Sequence, residues 1–185
     1  MSDIEAIRRL KQGDIAGLEI LVTRYQVKAL RAAFMILQDE QLAEDAVQDT
    51  YLRLFRRIRN FDENRPFEPY LMRSVVNTAL NLLAKKQPEE SLDSDGLTAH
   101  LENLLARAVG VESQVEGSLL KEEIEQALRK LSPRQRAVIV QRYYLEMDEN
   151  EMVQNLEIAP GTVRWLLHAA RSRLRMLLSP RGGLK

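Results

Sequence analysis

The residues best placed to do chemistry in this chain are arginines. Arg164, His168, Arg171 and Arg175 recur at intervals of three and four, so at 100° per residue they share one stripe of a helix. After Glu157 no acidic residue occurs, whereas Arg164, Arg171, Arg173, Arg175, Arg181 and Lys185 add six positive charges. Such a face suits a polyanion. Cations at the end of a helix also complement its dipole, but that plainer account stops short of Arg164, which stands in the first turn where the dipole disfavours a cation. Pro160, Gly161 and Thr162 open the same helix, and free first-turn amides there can meet a phosphate. Trp165, the only tryptophan, falls beyond the basic stripe and away from the apolar stripe of Val163, Leu167, Ala170, Leu174 and Leu177. Two readings stand for it: contact with a thymine methyl or a sugar, or cover for a neighbouring helix or connecting segment.

Two further groups are suited to contact rather than reaction. Glu44, Asp45, Gln48 and Asp49 at helical spacing, with Leu52 and Phe55, make an acidic surface with an apolar edge that fits a basic partner helix. The same helix carries acids early and Arg53, Arg56, Arg57 and Arg59 late, which satisfies its dipole, and the residues alone favour that account. Downstream, aromatic rings interleave with Arg, Lys and Asn at Asn64, Arg65, Phe67, Tyr70, Arg73, Asn77, Asn81, Lys85 and Lys86. That mixture can stack on and hydrogen-bond unpaired bases. For Phe61 and Phe67 the favoured reading is core plugs at a helix corner.

Catalysis finds little to work with. The chain has no cysteine among 185 residues, which excludes disulfide scaffolds, thiolate zinc sites and cysteine nucleophiles. With only His100 and His168, and with no glycine-rich phosphate loop or nucleophile elbow, no catalytic residue, metal or cofactor is expected. No apolar run approaches the roughly 20 residues of a membrane helix, and Met1 to Leu10 is charged throughout, so a cytoplasmic protein without membrane insertion is expected.

The elements that must position these groups are helices. Apolar positions at period 3.6 run from Leu18 to Ile36, from Leu42 to Ile58 and from Leu71 to Leu83, with breaks at Gly13-Asp14, Gln38-Asp39 and Phe61 to Pro69. Asp14 and Asp39 are the expected N-caps. Nothing alternates with period two for long enough to make a strand. Ser132-Pro133-Arg134-Gln135 is a capping box that starts a helix running to about Tyr144; Asp148 and Glu151 repeat the logic for a short helix to about Asn155, and Pro160 opens one that continues to about Leu178. The last two have the proportions of a helix-turn-helix.

Charge divides the chain more clearly than composition does. Lys plus Arg and Asp plus Glu total 27 each, yet residues 1–86 carry 14 basic and 12 acidic groups, 87–120 carry 1 and 7, and 121–185 carry 12 and 8. The acidic middle opens on Gln87, Pro88, Glu89 and Glu90, a linker composition, although Leu97, Leu101, Leu104, Leu105 and Ala108 allow a short amphipathic helix inside it. The expected architecture is all-α: two small helical domains at 1–86 and 118–185, joined by an acidic linker at 87–117.

At this point the order of parts resembles a family, the extracytoplasmic-function sigma factors of bacterial RNA polymerase. Ala43 to Phe55 (AEDAVQDTYLRLF) is similar to the family's AEDLVQETFLRAW, and Phe61 to Asn77 (FDENRPFEPYLMRSVVN) to FDGRRPFRAWLLRIARN. LRKLSPRQRAVIVQRYY is similar to LAALPPRQREVLLLRYV, and PGTVRWLLHAARSRL to VGTVKSRLHRARKRL. The resemblance implies a non-enzymatic initiation subunit with core RNA polymerase and promoter DNA as partners, and in some members an anti-sigma factor. It implies polymerase docking by Glu44, Asp45, Gln48, Asp49, Leu52 and Phe55. It implies capture of the melted minus-10 strand by the set from Asn64 to Lys86, and duplex reading of the minus-35 element by Pro160, Gly161, Thr162, Arg164, Trp165, His168, Arg171 and Arg175. Departures stand at Glu157, where the family has a turn glycine, at Val153 for an alanine, at Leu166 and Ala169 for two basic residues, and at Tyr70, Val76 and Asn81. The alternatives are a sigma-like mimic that binds an anti-sigma factor or polymerase without initiating, and a helix-turn-helix repressor, for which no dimerisation module is visible.

Overall fold

The computed structural model describes residues 1–86 and 116–178, and among these every regular element is a helix. The chain divides into two compact units, Met1–Gln87 and Pro88–Lys185. Residues 87–115, with the expected Leu97 to Ala108 helix, lie outside the described residues, as do Arg181, Lys185 and the side chain of Lys86.

Unit one is built from α1 (Asp3–Lys11), α2 (Ala16–Leu37), α3 (Glu40–Arg57), a 3₁₀ turn (Ile58–Asn60) and α4 (Phe67–Lys86). Apolar residues one turn apart give α2, α3 and α4 each a buried face: Leu21, Ala29, Ala32, Ala33 and Ile36 on the first, Ala43, Ala46, Val47 and Leu54 on the second, Leu71, Val75, Val76 and Ala79 on the third. The many alanines let these helices, which all pack on one another, approach closely. Val76 is fully buried, so its departure from the family's arginine is a packing choice. Asp39 caps α3, its side chain accepting from the Leu42 amide at 3.0 Å; Asp14 stands one residue ahead of the N-cap position of α2, which Ile15 takes, and accepts from the Ala16 amide at 3.0 Å instead of capping the helix. The break before α4 ends at Pro66, earlier than expected. Pro69 sits inside the first turn, where its missing N–H breaks no helical bond.

Helix α1 has no counterpart in the expected element order. Ser2 and Glu5 form its capping box, and Ala6, Ile7 and Leu10 are buried against α2. Gly17 makes that crossing possible, because a Cβ there would lie 2.2 Å from the Ala6 carbonyl oxygen. Asp3 pairs with Arg24 and accepts from the Tyr25 hydroxyl at 2.5 Å.

Unit two contains α5 (Glu116–Arg129), α6 (Pro133–Ile139) continued by a π-helical turn (Val140–Tyr144), α7 (Glu149–Leu156) and α8 (Pro160–Leu178). Helix α5 begins two residues before the boundary expected at 118. Both predicted capping boxes form, at Ser132/Gln135 and Asp148/Glu151. The helix from Pro133 does reach Tyr144, but its last turn widens, with the Leu145 amide donating to the Val140 carbonyl at 3.0 Å. Helix α8 packs against α5, α6 and α7. Glu157 keeps the left-handed backbone, φ 54 and ψ 38, a conformation that costs a residue with a Cβ about 1 kcal/mol.

Candidate nucleic-acid interface

In α8 the apolar stripe is buried at Val163, Leu167, Ala170 and Leu174, while Leu177 is exposed. Leu166 and Ala169 are buried as well, so the two positions that lack the family's basic residues belong to the packing face. The remaining side holds Gly161, Thr162, Arg164, His168 and Arg175 in solvent, with Trp165 and Arg171 half-buried. Around Gly161 nothing lies within 4 Å of the place a Cβ would take, so packing does not demand a glycine there. The Thr162 amide is already committed, donating to the Ala159 carbonyl at 2.9 Å, which removes one of the two amides expected to meet a phosphate.

Between the π turn, α7 and α8 lies a cleft of about 180 Å³ lined by Arg142, Glu149, Met152, Arg164, Leu167 and Arg171. Three guanidinium groups and one carboxylate thus line the same cleft. Arg164 Nε stands 2.7 Å from Glu149 Oε1, an ion pair between an exposed arginine and a half-buried glutamate. Such pairs contribute little, about 0.5 kcal/mol, and yield readily to a phosphate or a base edge. Arg171 donates from Nε to the Tyr143 hydroxyl at 2.7 Å, and its guanidinium carbon lies 5.6 Å from the centre of that ring. Glu149, Arg142 and Tyr143 were not legible as part of this surface. Glu149 follows the cap Asp148 and looked like ordinary first-turn acid, and Tyr143 precedes Arg171 by 28 residues.

In unit one, Glu44, Asp45 and Gln48 are exposed on α3, and Leu52 and Phe55 stand 55% and 40% exposed beside them. Asp49 is half-buried and paired with Arg53; the Arg53 hydrogen bond, more than the charges of Arg56 and Lys85, holds its carboxyl below the usual carboxylate range. Asp49 therefore stays ionised at neutral pH.

The second surface of unit one starts at the corner before α4. Asn64 and Arg65 are exposed at its apex, where Asp62 Oδ1 accepts from both the backbone and the side-chain amide of Asn64 at 3.0 Å. Tyr70, Asn77, Asn81 and Lys85 are exposed along α4, and Arg73 is half-buried. Phe67 does not join them. It is 2% exposed, its ring 5.8 Å from those of Tyr25 and Phe61, and so takes the core-plug reading; a base could stack on it only if the corner opened. Phe61 is buried too, and Tyr70 leans on it with ring centres 5.0 Å apart. Among the described residues no group of three or more His, Asp or Glu side chains could hold a metal ion, and no helix is long and apolar enough to cross a membrane.

Comparison with known proteins decides what these surfaces belong to. The family model described as Sigma-70 region 2 matches residues 21–89, and that described as Sigma-70, region 4 matches residues 121–174. The chain belongs to the sigma-70 family. The ECF RNA polymerase sigma factor SigW of Bacillus subtilis is 32% identical over 177 residues, covering 93% of this chain and 94% of SigW. The RNA polymerase sigma-H factor of Pseudomonas aeruginosa is 26% identical, covering 96% and 94%. The fold is shared with CnrH, solved in complex with the cytosolic domain of CnrY (TM-score 0.64, 23% identity, 95% and 96% covered). It is shared also with the sigma factor RpoE of Bartonella quintana, solved with the anti-sigma factor NepR (TM-score 0.64, 17% identity, 88% and 97% covered). This sigma factor is thus of the extracytoplasmic-function type, an all-α initiation factor with a region-two unit and a region-four unit.

Proposed function

We infer that this sigma factor joins core RNA polymerase through α3 and directs it to promoters, α8 meeting the minus-35 element as duplex while the corner before α4 meets the melted minus-10 strand. In this reading residues 1–86 and 118–185 are the two working domains, 87–117 tethers them, and the work is done in the cytoplasm. The chain makes and breaks no bonds itself; it lowers the barrier to opening DNA by binding the opened strand. The observation that carries the docking assignment is an exposed apolar pair, Leu52 and Phe55, at the edge of the acid patch Glu44, Asp45, Gln48 and Asp49. A partner that covers the pair gains apolar burial, and the acids select a basic one.

For α8 the reading places Arg164 nearest the bases, with Trp165 and His168 beside it. Gly161, where no neighbouring atom fills the space, lets the backbone approach a phosphate. Arg171 and Arg175 meet backbone only. For the opened strand, Asn64, Arg65, Tyr70, Arg73, Asn77, Asn81, Lys85 and Lys86 supply stacking, hydrogen bonds and charge.

The docking assignment is tested by Asp49→Lys. The substitution reverses a charge in the acid patch and also leaves Arg53 without its partner, so the face loses most of its negative charge and sets a cation against a basic partner. Affinity for core polymerase should fall at least about tenfold in a titration, since like charges across an interface are strongly unfavourable. The thermal midpoint should stay close to the parent's, because a half-exposed i,i+4 pair contributes little to stability. Undiminished affinity would remove α3 from the docking surface.

A further inference from the structure

The corner that presents Asn64 and Arg65 is held from outside α3 and α4. Lys11 Nζ donates to the Phe61 carbonyl oxygen at 2.7 Å and to Glu63 Oε1 at 3.0 Å, and Arg8 Nε donates to Glu63 Oε2 at 2.7 Å. Both carboxylate oxygens of one loop residue, and a backbone carbonyl two residues before it, are therefore taken by cations of α1, 50 to 55 positions away in the chain. The two donors keep the Glu63 carboxyl below its ordinary range, Arg8 contributing most.

Docking of α1 has other contacts to rest on. Ala6, Ile7 and Leu10 bury its apolar side on α2, Gly17 admits the close crossing, and Asp3 ties its start to Arg24 and Tyr25. The cationic side of α1 does something separate: it holds the Phe61 carbonyl and the Glu63 carboxylate, the residues on either side of Asp62, which in turn holds Asn64 through two hydrogen bonds. Arg65 and Pro66 follow, exposed, before α4 begins. The match to region 2 starts at residue 21, beyond α1, so the clamp is built from chain outside the matched segment at one end and inside it at the other.

We propose that α1 is the positioning element of the strand-capturing corner, with Lys11 and Glu63 as positioning residues that hold the backbone of residues 61–64 so that Asn64 and Arg65 are presented in place before any DNA arrives. The proposal rests on the reading of Asn64 and Arg65 as contacts to the unpaired strand. Its physical content is preorganisation: a corner already ordered does not lose backbone freedom when the strand binds, and a corner set loose must.

The test uses holoenzyme reconstituted from the full chain and core polymerase. The probe is a single-stranded oligonucleotide enriched from a random pool on the parent holoenzyme. Lys11→Met and Glu63→Gln should each lower affinity for that strand about tenfold, the scale set by freeing roughly one backbone residue. Affinity for core polymerase should be unchanged, and Lys11→Arg, which keeps the charge and a donor, should recover most of the loss. The Asn64→Ala/Arg65→Ala double variant serves as the reference for loss of the contacts themselves. If that double variant loses strand affinity while Lys11→Met and Glu63→Gln retain it, the positioning role is wrong and the strand-binding reading stands. Should the two α1-clamp variants lose core affinity along with strand affinity, or Lys11→Arg fail to recover, the clamp is merely structural and the proposal falls. A double variant with parental affinity, or a parent holoenzyme that enriches no strand, overturns the reading and the proposal together.

Discussion

Gln141→Leu should destabilise the second unit by about 2 to 3 kcal/mol, although leucine is a reasonable fit for the volume it fills. Gln141 is fully buried; its Nε2 donates to the Ala137 carbonyl at 3.2 Å and its Oε1 accepts from Asn155 Nδ2 at 2.9 Å. That bond joins the π turn to α7, across 14 positions of sequence. Removing the acceptor leaves the 6% exposed Asn155 amide without it and out of reach of bulk water, and desolvation without a partner is the larger part of the cost. Asn155→Leu should cost a similar amount by orphaning Gln141. The double variant, apolar on both sides, should recover at least about 1.5 kcal/mol relative to the sum, because no buried amide then lacks its mate. Unfolding by denaturant gives all four corners of the cycle, and additive losses would show that the two amides do not depend on each other. Gln141 stands where the family motif LAALPPRQREVLLLRYV carries leucine, so at that position this chain holds a directional contact in place of an apolar one.

Arg164→Ala should cost about 1 to 3 kcal/mol in binding to the preferred minus-35 duplex and relax preference at one or two base pairs. Arg175→Ala, on a residue about three turns further along the same exposed side, should weaken all sequences alike and reduce the salt slope by about one unit. The neighbourhood of Arg164 refines how the first loss is measured. Removing the guanidinium also leaves Glu149 facing phosphates without its ion-pair partner, so part of the loss would be repulsion rather than a missing contact. In a Glu149→Gln background that repulsion is absent, and the relaxation of sequence preference should persist while the loss of affinity shrinks. Holoenzyme titrated against a randomised upstream duplex at several salt concentrations separates these effects. If Arg164→Ala lowers affinity uniformly in both backgrounds, Arg164 is a phosphate contact and the base reading passes to Trp165 or His168.

What was legible in the sequence follows the range of the forces involved. Caps and apolar periods act over three or four residues, and Asp39, Ser132, Asp148 and Pro160 begin helices as their residue types require. Helix α1 was equally legible, from Ser2, Glu5 and the spacing of Ala6, Ile7 and Leu10, but its charge invited only the exclusion of a signal peptide. The π turn at Val140–Tyr144 has no local signature that we can name. Ion pairs between distant elements carry no sequence period at all, so Lys11 with Glu63 and Arg164 with Glu149 emerge only once the chain is folded. Phe67 shows the opposite limit: the residue type is compatible with stacking on a base or plugging a corner, and only the positions of Tyr25 and Phe61 decide between them. The left-handed Glu157 marks where the backbone requirement of the helix-turn-helix outweighs the preference of the residue it holds.

The central claim is that this chain brings polymerase to chosen promoters, and run-off transcription addresses it without intermediaries. Core polymerase, purified chain and a library of genomic fragments should together yield transcripts from discrete start points whose upstream sequences share two separated elements. A chain that binds core polymerase with high affinity yet leaves the transcript pattern identical to that of core alone would contradict the claim, and would favour a mimic that occupies the polymerase without opening DNA.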